Sequence, residues 1–198
     1  MKLRSILLAG ILSSSILACK SDKKKSDTEE VIEIEKEVKK EVVDGNLKEM
    51  SMTIFLEPKS DSQVSGTVNF KEKEGQVTIV ANMTGLSAGT HAIHIHQTAD
   101  CSSPDGKSTG GHWNPTAQPH GKWGDETGYH KGDIGNFEVG EDGHGTISMT
   151  TDEWCIGCGD DTKDILGKAI IVHQGADDFT SQPSGAAGAR VSCAGIIE

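Results

Sequence analysis

His94 and His96 stand two residues apart in the run His91-Ala-Ile-His-Ile-His96. In an extended strand successive side chains point to opposite faces, so these two imidazoles share one face. Two ring nitrogens on one rigid strand make half of a metal site, and neutral imidazole suits zinc and copper. His112, His120, His130 and His173 are the candidates for the other half. Each lies close to Gly, Pro or Asp, in a setting that reads as a loop or a strand end.

The elements that would position these rings are strands. Period-two alternation of β-branched or apolar residues runs through 51–57, 64–71, 77–83 and 90–97, and returns at 135–139, 146–150, 168–173 and 190–196. Eight short strands with no strong helix predict an all-β domain, an antiparallel sandwich or barrel. Two connections, 98–133 and 174–189, are long and rich in Gly, Pro, Ser and Asp. Loops of that length in a compact domain are usually functional. The first carries His112, His120, His130 and Asp133, and the second begins just after His173.

Charge narrows the partners. Residues 49–198 hold 9 Lys/Arg against 21 Asp/Glu, a net charge of −12. Phosphate backbones need basic patches, so nucleic acid is excluded as a partner. An anionic substrate would be repelled on average and would need local attraction.

The N-terminus reads as a targeting segment. Lys2 and Arg4 precede a 13-residue apolar stretch, 5–17, too short to span a bilayer and suited to a signal peptide. It ends at Ile16-Leu17-Ala18-Cys19, which resembles a bacterial lipobox and implies cleavage after residue 18 and lipidation of Cys19. The expected organisation is a signal peptide over 1–18, a lipid-anchored charged tether over 19–48 and a folded domain over 49–198. The expected location is the cell envelope or periplasm, with a membrane contact through the lipid anchor only. Val31, Ile34, Val38 and Val42 recur at helical spacing within the tether, but its Lys, Glu, Asp and Ser content favours a solvated spacer.

Export permits disulfides. Setting Cys19 aside leaves Cys101, Cys155, Cys158 and Cys193, an even number. Trp154-Cys-Ile-Gly-Cys-Gly159 brings Cys155 and Cys158 into a local Cys-x-x-Cys pair. It reads as a small second disulfide loop, as a redox-active pair or as a surface metal site. No βαβ unit surrounds it, which weighs towards the disulfide.

Six stretches together resemble the copper/zinc superoxide dismutase family. They are His91-Ala-Ile-His-Ile-His96, Gly111-His-Trp-Asn-Pro115, His120-Gly121, His130-Lys-Gly-Asp-Ile-Gly-Asn136, Ile171-Val-His-Gln-Gly-Ala-Asp-Asp178 and Gly188-Ala-Arg-Val-Ser-Cys-Ala-Gly195. The resemblance covers about residues 50–198 and implies a Greek-key, immunoglobulin-like β-barrel or sandwich with two functional loops. It implies copper on His94, His96, His112 and His173, and zinc on His112, His120, His130 and Asp133, with His112 bridging the two. Four nitrogens suit Cu(II), and three nitrogens with one carboxylate suit a closed structural zinc site. Asp177 matches a carboxylate that orients a copper and a zinc ligand. Arg190 matches the family's anion-docking arginine, and Ser184 a small hydroxyl residue at its channel. Cys101 and Cys193 match the family's disulfide. His91 matches a structural histidine, and His144 reads as an exposed turn residue.

The implied activity is dismutation of superoxide by Cu(II)/Cu(I) cycling, with Arg190 and His112 as catalytic residues, protecting the envelope. Lys122, Lys131 and Lys163 are the further cations that could steer the anion. The competing reading is a non-catalytic copper- and zinc-binding lipoprotein of the same fold, serving metal buffering or delivery. The resemblance allows a homodimer as well as a monomer. The Cys-x-x-Cys pair departs from the family pattern.

Overall fold

The structure is a computed structural model and describes residues 49–197. The signal peptide, Cys19 and the tether expected over 1–48 lie outside the described residues. Eight antiparallel strands form a closed barrel: β1 (Met50–Pro58), β2 (Ser65–Lys73), β3 (Gln76–Thr84), β4 (Gly89–His96), β5 (Gly135–Val139), β6 (Gly145–Thr151), β7 (Ala169–His173) and β8 (Arg190–Gly195). Their order around the wall is β1-β2-β3-β6-β5-β4-β7-β8, so β3 pairs with β6 and the chain crosses over to reach β4. The all-β antiparallel expectation holds, and closure into a barrel decides between the two architectures it left open. The helical content among the described residues is one 3-10 turn, Lys107–Thr109.

Most strands bury one face. In β3, Val77, Ile79, Ala81 and Met83 are buried at every second position, and Val68 and Phe70 do the same in β2. Each such Ile or Phe, taken from water, contributes roughly 1.5–3 kcal/mol. β4 and β7 differ, because both of their faces are covered: His91 to His96 are all buried, and so are all five residues of β7. Ile93 and Ile95 point into the barrel core with Ile170 and Val172. On the outer face His94 lies opposite Ile171 and His96 opposite Ala169, with Cys193 beyond. The two long connections cover this outer face, so the candidate ligands sit between the barrel wall and its loops.

The first connection is tied to the wall by backbone hydrogen bonds. Pairing of β4 with β5 ends at Ile93 and Gly135, which leaves one edge of the last β4 residues open. The loop fills that edge: Trp113 N–H donates to Ile95 O (2.8 Å), Ile95 N–H to Gly132 O (2.9 Å) and Gln97 N–H to Gly111 O (3.0 Å). A Cβ on Gly132 would run into the Ile95 carbonyl, so this approach requires glycine.

Candidate metal centre

Four elements supply the site. His94 and His96 come from β4, His173 from the end of β7, His112, His120, His130 and Asp133 from the first connection, and Asp177 from the second. A β-bulge supplies Arg190. Going along β8, Ala194 faces the core opposite Ile170 and Ser192 pairs with Val172. Strict alternation would turn Arg190 inward as well. The register shifts between Val172 and His173, so Arg190 pairs with His173 and reaches the outer face. A bulge re-aims a side chain in this way.

The disulfides found are Cys101–Cys193 and Cys155–Cys158, both with Cα atoms 5.9 Å apart. The first ties the loop that carries His112 to β8, beneath Ala169 and Ile171. The second closes a small loop. Asp164 accepts backbone N–H groups from Gly157, Gly159 and Leu166 there, a capping role that the Cys-x-x-Cys spacing does not announce.

Hydrogen bonds fix the tautomers of the rings. Asp177 joins two of them, accepting from His94 Nε2 on Oδ2 (2.8 Å) and from His120 Nε2 on Oδ1 (2.9 Å). Gly110 O accepts from His96 Nδ1 (3.0 Å). A neutral imidazole carries one N–H, so each of these three rings turns a lone pair inward from its other nitrogen. The ring nitrogens buried without a hydrogen-bond partner are Nδ1 of His94, His120 and His130, Nε2 of His96 and His112, and both nitrogens of His173. Stranding this many buried polar atoms is costly unless a further group binds them.

They collect in two places. One set joins His94, His96, His112 and His173, and the other joins His112, His120, His130 and Asp133. Within each set the ligand atoms lie within 4.8 Å of one another. His112 belongs to both. Its Nδ1 lies 2.8 Å from Asp133 Oδ1, and its Nε2 faces the first set. Nδ1 of His120 and of His130 stand 3.0 and 3.3 Å from Asp133 oxygens. Ring nitrogens set around a carboxylate at such distances call for a proton or a metal ion between them. A tetrahedron with bonds of about 2.0 Å has edges of about 3.3 Å, so a zinc ion fits this set. Four imidazole nitrogens with no carboxylate fit copper.

The electrostatics follow the same plan. Burial pushes the His112 ring down to about 4, against the pull of Asp133. Burial, with neighbouring rings, holds His96 and His173 well below the ordinary imidazole range. At His120 burial opposes protonation, but Asp133 and Asp177 overcome it and raise the ring to about 9. Burial works against ionised Asp133, yet the three surrounding rings hold its carboxyl well below the usual range. His120 and His94 do the same for Asp177.

The first set opens into a cleft of about 830 Å³, lined by His96, His112, His173, Ser184, Lys107 and Arg190 among others. Arg190 Nη1 donates to Gly106 O (2.9 Å) and Thr109 Oγ1 (3.0 Å), which leaves the rest of the guanidinium for an anion. Burial lowers the Arg190 pKa somewhat, and Asp105 offsets part of this. The cation that lines the cleft beside Arg190 is Lys107, paired to Asp105 at 2.9 Å. The lysines singled out from sequence are placed elsewhere. Lys131 is paired with Glu153, Lys163 donates to Asp152 O, and Lys122 borders a separate hollow with Trp123 and Phe179. Lys107 sits in the long loop, where spacing gave no sign of its direction. His91 is held by the carbonyls of His173 and Ser87, both at 2.9 Å, and so supports the backbone of a candidate ligand.

Residues 64–196 match the family model described as copper/zinc superoxide dismutase. Among solved structures, a SOD-like protein from Bacillus subtilis superimposes with a TM-score of 0.64 at 30% identity, over 73% of this chain and 97% of that one. A double mutant of that protein with two introduced histidines gives 0.66 and 32%, over 74% and 97%. The clock protein EA4 gives 0.63 and 29%, over 74% and 94%.

Proposed function

The chain belongs to the copper/zinc superoxide dismutase family, and from that premise we propose that it is a catalytic member, converting two superoxide ions and two protons to O₂ and hydrogen peroxide. The observation that carries this reading is the placement of His112, one ring shared by two complete ligand sets, beside a cleft that holds Arg190. His94, His96, His112 and His173 would hold copper. His112, His120, His130 and Asp133 would hold zinc.

Copper bound there would supply one-electron cycling between Cu(II) and Cu(I), while zinc would be structural. The protein's own groups do the rest. Arg190 docks the superoxide anion next to His173 and concentrates it locally against a net charge of −12 over residues 49–198. His112 Nε2 is the atom placed to hold a proton and pass it to the product. Asp133, fully ionised at neutral pH, keeps the other side of that ring engaged. Asp177 holds the copper-side His94 and the zinc-side His120 in one tautomer each.

The second reading is a non-catalytic metal-binding protein of the same fold. It is favoured by the description of the Bacillus subtilis neighbours as SOD-like. All seven candidate ligands and Arg190 of this chain are in place, which supports the enzyme instead. Metal analysis beside a dismutation assay separates the two. The enzyme takes up one copper and one zinc per chain and is active, and His173→Ala loses the copper and the activity together. Full loading with no activity overturns the proposal.

The same reading places the domain on an exported lipoprotein, with cleavage after residue 18 and a lipid on Cys19. The composition of 1–48 and the lipobox-like Ile16-Leu17-Ala18-Cys19 support it.

A further inference from the structure

His130 is flanked by two residues that the same short segment grips. Glu153 accepts the Tyr129 hydroxyl on Oε1 (2.6 Å) and pairs with the Lys131 ammonium through Oε2. The next residue, Trp154, is 1% exposed and donates its indole N–H to Lys131 O at 2.8 Å. Aromatic rings close the arrangement: Trp123 lies 5.0 Å from Tyr129 and 5.5 Å, edge on, from Trp154. A buried ring, an indole hydrogen bond and a carboxylate thus hold the residues before and after His130.

The segment is itself anchored on every side. Glu153 N–H donates to Thr151 Oγ1 at the end of β6. Cys155 exchanges backbone hydrogen bonds with Lys163 and Ile165, and Ile156 N–H donates to the Glu72 carboxylate on β2. The Cys155–Cys158 bridge and Asp164 then close the loop that follows. The barrel wall is therefore connected through this segment to a loop that has little regular structure of its own.

We propose that Glu153 and Trp154 are positioning residues for the zinc-side histidine: they clamp Tyr129 and Lys131, and so fix the direction in which His130 offers Nδ1. The inference rests on the reading of His130 as a zinc ligand. It also gives the Cys-x-x-Cys loop a task, as the rigid end of the clamp. Neither residue hydrogen-bonds to the ring, so each acts through Tyr129 and Lys131. Outer partners of metal ligands typically change affinity about 10- to 100-fold. An indirect clamp belongs at the lower end of that range.

The test is zinc affinity, measured by chelator competition on the full domain, together with the visible absorption of Co(II) placed in the zinc set. Trp154→Phe keeps the packing and removes the N–H donor, and Glu153→Gln removes the charge. Each is expected to weaken zinc about tenfold and to shift the Co(II) bands. Val139→Ala, in β5 where it pairs with Gly145 at the far end of β6, controls for general destabilisation and is expected to leave both readouts unchanged. Wild-type zinc affinity and Co(II) spectrum in both clamp variants would overturn the proposal. So would an equal loss in Val139→Ala. His130→Ala keeps the two ideas separable. If it too leaves zinc affinity unchanged, His130 is not a ligand and the underlying reading fails. If it abolishes tight zinc binding while the clamp variants do nothing, only the clamp fails.

Discussion

His112 is the residue on which the two ligand sets meet, and its neighbours decide what each of its nitrogens does. Asp133 takes the Nδ1 side, and the open Nε2 side faces His94, His96 and His173. Arg190 contributes differently, since it touches Gly106 and Thr109 and no candidate ligand hydrogen-bonds to it. Arg190→Ser should therefore lower the second-order rate about 10- to 100-fold by loss of local anion attraction. Copper and zinc content should stay at wild-type values, and a parallel loss of metal would show a structural role instead. The titration of the rings predicts the behaviour of the chelated protein. His96, His112 and His173 have depressed pKa values, so below about pH 6.5 the unfolded chain binds protons that the folded one refuses. Stability must then fall as pH drops from about 6.5 towards 4, and further below about 4, where the unfolded chain protonates Asp133 and Asp177 while the folded one still keeps them ionised. His120, raised to about 9, has the opposite sign: its contribution is complete below 6.5 and is lost as pH rises through 9. Urea melts of the chelated domain at pH 6.5 and 4.5 check this. Equal midpoints would contradict it.

At the scale of elements, β4 and β7 carry the site because both of their faces are covered. That double burial hides the simple alternation that marks β2 and β3, yet His94 and His96 could be assigned to one face from period two alone. The eight strands were legible in the sequence, and their ends shifted by only a residue or two, as for β4, which starts at Gly89 and ends at His96. The bulge at Val172/His173 was not legible. It depends on the register of two strands, and no local pattern around Arg190 announces that the alternation breaks. The direction of Lys107 was hidden for a related reason, since a 3-10 turn in a long loop has no period to read. Cys155 and Cys158 announced themselves as a pair, whereas their link to His130 runs through Trp154 and Glu153, which look like ordinary strand-end residues. Cys101–Cys193 closes 92 residues of chain and fastens the histidine-bearing loop to β8. Replacing both cysteines with serine should cost about 4–5 kcal/mol in the chain-entropy description, read as a lower denaturation midpoint of the metal-loaded domain. A loss below about 1 kcal/mol would mean the loop is held by its backbone hydrogen bonds alone.

The domain over residues 49–198 is acidic, its described part is a barrel, and the proposed reaction would dock its anion at one cationic cleft beside Arg190. The proposed lipid anchor would place that cleft at a membrane surface in the cell envelope. Cys19→Ser should move the protein from the membrane fraction to the soluble fraction of the envelope without altering its activity. Retention in the membrane would remove the anchor from the proposal. The function itself is tested by following superoxide decay after a radiolytic pulse, with the domain loaded to one copper and one zinc per chain. Decay should be catalytic, first order in the protein and within an order of magnitude of the roughly 10⁸–10⁹ M⁻¹s⁻¹ diffusional ceiling that superoxide dismutases reach. It should also return to the uncatalysed rate in His173→Ala. A fully loaded domain that leaves the decay at its uncatalysed rate would contradict the assignment and leave a metal-binding barrel in its place.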